Sequence, residues 1–217
     1  MSIVSSIVSS KVFLGHPKSQ SNPKTRDAWQ GVYNGMVVFD PTVVEAQLDA
    51  AKKMFQEVKK QGKEVLVICE KELYKSEIEA LSENVWFHYM NHKVPAWVLT
   101  NFDTLLMRIK SLQEMRSYVS SESFDTLTKK EQQMKKRALR KIEKVYKWVV
   151  NMRKKPDLII IVDGQMMHKF VDEVEKENIS SVILASSNFD LWAKSHVVMC
   201  NVNSRKSIDF AMKHICG

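Results

Sequence analysis

The organisation of this 217-residue chain is set by residues 99–155, a stretch whose second half reads TKKEQQMKKRALRKIEKVYKWVVNMRKK (128–155). Its first half places apolar side chains three or four positions apart, which predicts one stripe of a helix with Asn101 or Thr100 as the N-cap. The stripe consists of Phe102, Leu105, Ile109 and Leu112. A serine-rich segment at 117–123 ends this pattern and therefore separates two helical arms.

The second arm begins with Thr128 and Glu131, whose spacing is that of a capping box. Apolar residues then follow one another at intervals of three and four, a seam that suits packing along a partner helix. The seam comprises Met134, Ala138, Ile142, Val145, Val149 and Met152. The simplest partner is the first arm. We therefore predict a projecting α-helical coiled-coil hairpin whose arms pack mainly on each other and whose removal leaves the rest of the chain folded.

The second arm also carries the net positive charge of the chain. Between residues 129 and 155 there are twelve Lys or Arg residues and only two acids, Glu131 and Glu143. The whole chain has 33 basic and 25 acidic residues, so the remainder, with 21 basic and 23 acidic residues, is nearly neutral. A charge run of mixed sign is usually a solvated helix face, but these lysines lack acids at i+4 and repel one another. We therefore expect a polyanion as the partner of this arm.

Outside the hairpin, short apolar stretches alternate with amphipathic helical patterns. Strands are predicted at 36–39, 64–69, 85–89, 157–162, 181–185 and 196–200, and helices at 44–58 (closed by Gly62), 71–82, 166–177 and 204–215. Continuous apolar strands between helices are typical of a parallel sheet that is covered on both faces. We predict an α/β domain with a doubly wound, mainly parallel, flavodoxin-like sheet. It comprises residues 1–98, including an N-terminal extension, and 156–217, with residues 99–155 as the inserted hairpin.

No pattern in the sequence supports catalysis or a bound cofactor. The six glycines form neither of the two glycine-rich loops that cradle nucleotide phosphates. His88 and His92 are four residues apart but have no Cys-x-x-Cys beside them, so we interpret each as a structural histidine. Asp163 and Gly164 follow a predicted strand and are interpreted as a turn. We therefore expect no catalytic residue, no metal, no cofactor and no small-molecule substrate.

A second polar segment follows the predicted strand that ends at Ala185. Its members are Ser186, Ser187, Asn188 and Asp190. In a doubly wound fold this position is the crevice side of the sheet, so the segment either binds a ligand or caps the next turn. Because no base is paired with these side chains and no G-x-S-x-G elbow is present, we favour the turn.

Composition limits the remaining function classes. The longest purely apolar run, Leu158–Val162, is too short to cross a bilayer, and we expect no membrane partner. The first ten residues have neither a basic head nor a long apolar stretch, so we expect no secretory or Arg-rich transit peptide. Three widely spaced cysteines, Cys69, Cys200 and Cys216, indicate ordinary thiols in a reducing compartment rather than a disulfide framework.

Short motifs along the chain fit one family pattern. The most specific is FDTLTKKE at 124–131. The others are Gly15-His16, Asn22-Pro23-Lys24, Asn34-Gly35 followed by Asp40, Leu99-Thr100-Asn101, Pro156-Asp157, Val162-Asp163 and Asn188-Phe189-Asp190. In these motifs the chain resembles the bacterial-type (bacterial or organellar) small-subunit ribosomal protein two family, and the resemblance covers nearly its whole length.

The chain also departs from that family. Residues 91–97 read NHKVPAW where the family usually has Asn-His-Arg-Trp-Leu-Gly-Gly, so both glycines are lost and the loop at the base of the hairpin must run differently. The aspartate that usually precedes Thr-Asn is Ser186, and the basic pair after the second strand is replaced around Cys69 and Glu70. These departures indicate a divergent lineage, either an organelle or a reduced bacterial genome.

The resemblance implies a structural constituent of the small ribosomal subunit, without catalytic activity, seated where head meets body. Implied partners are small-subunit ribosomal RNA, neighbouring small-subunit proteins and, as a candidate client, the large first protein of bacterial subunits. The implied location is the ribosome in the bacterial cytoplasm or the organelle (mitochondrial) matrix. The residues that we expect to bind RNA are Lys18, Lys24, Lys129, Lys130, Lys135, Lys136, Arg137, Arg140, Lys141, Lys144 and Lys147.

Two other functions stay open at this point. One is an α/β enzyme acting on a phosphorylated or nucleotide ligand, with the hairpin as a lid or dimer arm. The other is a coiled-coil adaptor that binds no RNA. Titration with such ligands would reveal the enzyme, whereas the adaptor would show no salt-dependent affinity for RNA.

Overall fold

The computed structural model of this chain describes residues 3–191 and 195–217. The helices in these residues are α1 (Ile3–Ser9), α2 (Pro41–Lys60), α3 (Lys75–Val85), α4 (Phe102–Val119), α5 (Glu122–Asp125), α6 (Lys129–Tyr146), α7 (His168–Lys176) and α8 (Arg205–Cys216). The strands are β1 (Leu14–Pro17), β2 (Trp29–Tyr33), β3 (Met36–Phe39), β4 (Val65–Ile68), β5 (His88–Met90), β6 (Leu158–Val162), β7 (Ser180–Ala185) and β8 (His196–Met199). Short 3-10 segments occupy Lys18–Gln20, Pro23–Ala28, Glu72–Tyr74 and Lys147–Val149.

The main sheet has five parallel strands in the order β5-β4-β6-β7-β8. Numbered from the first strand of this sheet, the order is 2-1-3-4-5, the flavodoxin-like arrangement. The predicted doubly wound α/β class is therefore confirmed. The edge at β8 is covered by α2, because the backbone N–H of Met199 donates to the side chain of Gln47 at 2.9 Å.

Residues along the central strands alternate between two apolar cores. Val65 and Val67 of β4 belong to the core that α2, α3 and α8 cover, whereas Leu66 and Ile68 belong to the core beneath α7 and the start of α4. The same alternation continues through β6 and β7. Burial of both faces explains why these strands read as continuous apolar runs in the sequence.

The strand predicted at 36–39 forms, but it does not belong to the parallel sheet. β3 lies between β1 and β2 in a separate three-stranded antiparallel sheet, so its assignment to the parallel sheet is wrong. Asn34 and Gly35 connect β2 to β3 with φ angles of 50° and 76°. Asn-Gly between short strands is a strong hairpin signal, because both residues adopt positive φ readily. This signal indicates antiparallel pairing of the two neighbouring strands.

Two other boundaries differ from the sequence prediction. Residues 3–9 form α1, which the alternation of serine with Ile and Val did not predict. The strand predicted to start at residue 85 starts at His88, because α3 continues to Val85 and Trp86 then turns the chain with a φ of 59°. By contrast, Gly62 lies two residues after α2 with a φ of 63°, which confirms its predicted role in ending that helix.

In the hairpin, the first arm agrees with the prediction, whereas the second arm agrees with it only in part. The stripe of α4 is buried, as predicted. The proposed seam of α6 is wrong at its distal end, because Met134 is 61% exposed and Ala138 is also exposed. Leu139 is half-buried instead, whereas Ile142 and Val145 are half-buried as the seam predicts. Polar side chains complete the contact, since Arg116 of α4 donates to Glu143 of α6 at 2.7 Å.

The base of the hairpin shares a core with the main sheet. Phe102, Leu105 and Ile109 of α4 belong to the same buried cluster as Ile159 and Ile161 of β6. Val149 and Met152, which follow α6, are also members of this cluster. The expectation that the arms pack mainly on each other is therefore wrong for the base, where they pack on the sheet.

The cysteines are free and buried, which confirms their interpretation as ordinary thiols. Burial raises the pKa of Cys69 to about 11 and that of Cys200 and Cys216 to about 12. Among the residues that the structure describes, no helix has both the length and the apolar character that crossing a bilayer requires.

Candidate nucleic-acid interface

The basic helix α6 has a well-defined start. The backbone N–H of Thr128 donates to the carboxylate of Glu131 at 3.0 Å, and the N–H of Glu131 donates to the Thr128 hydroxyl at 3.4 Å. This reciprocal pair is the predicted capping box, and it is confirmed. Because each bond satisfies a backbone donor that the first turn leaves unpaired, the helix begins at a fixed residue. The cap therefore fixes where the lysines that follow it lie.

The basic residues of α6 are exposed and have no acidic partner within the described part of the chain. The eight residues concerned are Lys129, Lys130, Lys135, Lys136, Arg137, Arg140, Lys141 and Lys144. None of them lies within 4.0 Å of a described carboxylate. Both acids of this helix are engaged elsewhere, Glu131 in the capping box and Glu143 with Arg116. The positive charge of α6 is therefore not neutralised by these acids.

Three of the predicted RNA-binding lysines lie over aromatic rings of their own hairpin. Lys135 lies 4.5 Å from the ring centre of Tyr118, Lys136 lies 5.4 Å from that of Phe124, and Lys147 lies 4.3 Å from that of Trp148. Each such contact contributes roughly 0.5–1 kcal/mol at an exposed site. Lys135 and Lys136 therefore also take part in packing within the hairpin.

Two predicted residues lie on the α/β unit rather than on the hairpin. Lys18 is exposed at the start of a 3-10 segment. Lys24 forms a surface ion pair with Asp190 at 2.7 Å. The pair neutralises Lys24 at the surface, so of these two lysines Lys18 alone presents an unpaired charge among the described residues.

The crevice at the carboxyl edge of the sheet contains a buried ion pair. Lys71, after β4, lies 2.7 Å from Asp163, after β6, and each side chain is 11% exposed. The Lys71 ammonium also donates to the carbonyl of Val202 at 2.8 Å and to the side chain of Asn203 at 3.0 Å. Asp163 accepts a bond from the N–H of Met166 at 3.1 Å, which confirms the predicted turn. No pattern in the sequence indicates this role for Lys71.

The N-terminal segment occupies the rest of this crevice. The backbone N–H of His16 donates to the Ser187 hydroxyl at 2.8 Å, and its ring lies 2.9 Å from the Ser186 hydroxyl. Burial lowers the pKa of His16. Gly15 fits closely here, because a Cβ at this position would lie 2.8 Å from the Ser187 oxygen. The position where a doubly wound enzyme binds its nucleotide is thus taken by the chain itself.

His88 and His92 do not converge on a common site. His88 is buried and its ring lies 4.0 Å from Glu64, whereas His92 lies 3.2 Å from the ammonium of Lys75. Burial lowers the pKa of His92, and the positive charges of Lys75 and Lys144 lower it further. Within the described ranges no three His, Cys, Asp or Glu side chains are grouped as metal ligands.

The chain matches a known protein family over nearly its whole length. A model of the family described as ribosomal protein S2 matches residues 7–217. The chain belongs to the ribosomal protein S2 family. This result confirms the family indicated by the sequence motifs. It also confirms the expectation that the chain is not an enzyme, because members of the S2 family are structural proteins.

Several relatives agree with this membership. The small ribosomal subunit protein uS2 of Francisella philomiragia is 28% identical over 214 residues, which cover 98% of this chain and 89% of the relative. The uS2 protein of Francisella tularensis is 27% identical over the same shares. The uS2 protein of the cyanobacterium Gloeobacter violaceus is 29% identical over 192 residues, which cover 88% of this chain and 70% of the relative.

The loop at the base of the hairpin is the main departure from the S2 family pattern. Trp97, at the second of the two usual glycine positions, has a φ of 61°, a conformation that glycine adopts without steric cost. Two carboxylates hold the loop: Glu70 accepts from the N–H of Val94 at 2.6 Å, and Glu173 accepts from that of Leu99 at 2.6 Å. Sequence reasoning missed both anchors, because nothing local links either residue to the loop.

One local prediction for this loop is half right. Asn101 is the N-cap position of α4, as predicted, but its side chain makes no capping hydrogen bond. The carboxylate of Glu173 accepts hydrogen bonds from the backbone just before this helix, because it binds the N–H of Thr100 at 2.9 Å as well as that of Leu99. The start of α4 is therefore fixed partly from α7.

Proposed function

We propose that this chain is a structural constituent of the small ribosomal subunit and that α6 binds ribosomal RNA. The observation that carries the proposal is the row of exposed cations on α6 without an acidic partner in the described chain. Phosphate groups of RNA would supply the missing negative charge, and their neutralisation releases counterions. Membership in the S2 family and the names of the uS2 relatives support the same assignment.

The side chains of α6 favour recognition of the RNA backbone over recognition of bases. These aromatic rings of the hairpin are not free for stacking: Phe124 is buried, Tyr118 is half-buried beneath Lys135, and Trp148 stacks on Tyr89 with ring centres 4.8 Å apart. Unpaired bases are usually bound by stacking on exposed aromatic rings, whereas folded RNA is read by shape and phosphate position. We infer that α6 binds phosphates.

The α/β unit offers the remaining surface to neighbouring small-subunit proteins. Its crevice is filled by the N-terminal segment, so the proposal assigns it no small-molecule ligand. The compartment follows from the ribosome in which the chain resides, the bacterial cytoplasm or an organelle matrix. The enzyme alternative has no ligand site left at the edge of the sheet where it would be expected.

Neutralising four exposed cations of α6 tests the proposal. The variant Arg137→Gln, Arg140→Gln, Lys141→Gln, Lys144→Gln leaves the lysines over Tyr118 and Phe124 in place. It should weaken RNA binding about 100-fold near physiological salt and lower the log–log salt slope by about 3, if each residue contacts one phosphate. Filter binding across a salt series measures both quantities. Unfolding free energy should be unchanged or rise by a few tenths of a kcal/mol per relieved like-charge pair, so about 0.5 kcal/mol overall.

A matched control removes the same charge elsewhere. The exposed residues Lys53, Lys60, Lys63 and Lys206 lie outside the hairpin, and their change to Gln alters the net charge equally. This control should retain most of the affinity and of the salt slope. If both variants lose the same affinity, binding depends only on net charge and α6 is not the RNA interface. An unchanged salt slope in the α6 variant would contradict the proposal.

A further inference from the structure

A tryptophan at the base of the hairpin is exposed in a backbone conformation that bulky residues rarely adopt. Trp97 is 55% exposed and has a φ of 61°. Positive φ in a bulky residue is an outlier that persists only where the surrounding structure enforces it. The carboxylates of Glu70 and Glu173 enforce it here, since they bind the backbone on either side of Trp97. The ring is thus presented to solvent by a fixed loop.

Trp97 borders a groove of about 690 Å³ between this loop and α7. Val94 and Pro95 line one side, and Met167 and Phe170, both nearly buried, line the other. The groove therefore has a partly apolar lining next to an exposed aromatic ring.

The rim of this groove carries three exposed lysines. Lys93, Lys169 and Lys176 line it, and the Lys176 ammonium lies 5.8 Å from the ring centre of Trp97. Of the three acids in the lining, Glu70 and Glu173 already accept backbone hydrogen bonds. These acids keep their charge but lie deeper than the lysines, since Glu173 is buried and Glu70 and Asp172 are half-buried. The three lysines are exposed, so the outer edge of the groove presents cations to an anionic occupant.

This rim lies near the C-terminal end of α6. Lys144 of α6 acts electrostatically on His92, whose ring lies 3.2 Å from the Lys75 ammonium. Lys93 follows His92 directly in the chain and lines the groove. Lys75 is paired with Glu72, so the cations that an occupant of both surfaces would meet are Lys144 at the end of α6 and Lys93 at the groove. An RNA strand that extends past Lys144 would therefore approach the groove.

We propose that this groove binds an unpaired nucleotide of the RNA held by α6, with its base stacked on Trp97 and its phosphates near Lys93 and Lys169. The inference rests on the proposed function of α6. Stacking on an aromatic ring is available to every base, so the site selects single-stranded RNA rather than a sequence. A protein segment fits less well, because the exposed lysines of the rim and the nearby basic helix α6 both favour an occupant that carries phosphates.

A fluorescent single strand tests the proposal on the full-length protein. The probe is a short oligoadenylate that contains 2-aminopurine, whose emission is quenched on stacking, and a blunt-ended RNA duplex serves as the second probe. We expect the wild type to quench the single strand, and Trp97→Leu to lose the quenching and about tenfold in affinity for it. Affinity for the duplex should not change. Trp97→Phe, which keeps a ring, should retain part of the quenching.

The chain provides a matched control in Trp86, which is 66% exposed with a φ of 59° but lies outside the groove. Trp86→Leu should behave as the wild type, and an equal loss in both variants would overturn the proposal. Trp97→Gly serves as a second variant that removes the ring without straining the backbone, since glycine tolerates this φ. It should be folded and still fail to quench. Unchanged quenching in Trp97→Gly would also overturn the proposal, as would impaired subunit assembly with normal RNA binding, which would indicate a protein in the groove.

The two proposals fail in different ways. If α6 does not bind RNA, its four-residue Gln variant keeps its salt slope on the duplex probe. If only the groove is wrongly assigned, that variant loses duplex affinity as expected while the Trp97 variants bind both probes like the wild type.

Discussion

Replacing residues 100–155 by a short flexible linker should abolish cooperative folding of the chain. The replaced segment contributes Phe102, Leu105, Ile109, Val149 and Met152 to the core beneath the main sheet. Burial of each side chain is worth about 1.5–3 kcal/mol, so the five together contribute roughly 8–15 kcal/mol. That sum equals the whole stability of a typical domain, about 5–15 kcal/mol. Urea unfolding followed by circular dichroism should show no sigmoidal transition.

A shorter replacement separates the two parts of the hairpin. Arg116 and Glu143 lie side by side across the arms, at 2.7 Å, so a short loop in place of residues 117–142 can join them. This variant keeps every core residue at the base of the hairpin. It should unfold cooperatively and lose most RNA affinity, because seven of the eight basic residues of α6 are removed. A folded 100–155 replacement, with the cooperativity of the wild type, would show that the base is not needed.

The elements that are best predicted from sequence are those determined by residues close together in the chain. The apolar run of β6 has to be covered on both faces, and the capping box of Thr128 and Glu131 is complete within four residues. The charge of α6 is likewise a property of its own residues. These features were sufficient for the fold class and for the position of the candidate interface.

The features that sequence missed depend on residues far apart in the chain. β1 pairs with β3 although neither strand is longer than four residues and two 3-10 segments and β2 lie between them in the chain. The face that α6 turns toward α4 could not be chosen from periodicity alone, so Met134 was assigned to the wrong side. The rings beneath Lys135 and Lys136 come from outside α6. Spacing within one helix contains no information on such partners.

The sequence analysis missed the buried ion pair of Lys71 and Asp163, and breaking it by Lys71→Met should cost about 3–5 kcal/mol of unfolding free energy. The substitution leaves the Asp163 carboxylate buried without a cation. It also removes the donor to the Val202 carbonyl and the Asn203 side chain. Chemical unfolding monitored by circular dichroism measures the loss.

Two further variants show whether burial is the reason. Lys24 and Asp190 have the same 2.7 Å separation, but their side chains are 56% and 45% exposed. Lys24→Met should therefore cost no more than about 1 kcal/mol. The double variant Lys71→Met, Asp163→Asn should recover part of the loss, because Asn is uncharged and still accepts a hydrogen bond from the N–H of Met166. If Lys71→Met costs as little as Lys24→Met, the buried pair does not hold the carboxyl edge of the sheet together, and the hydrogen bonds of the N-terminal segment must do so instead.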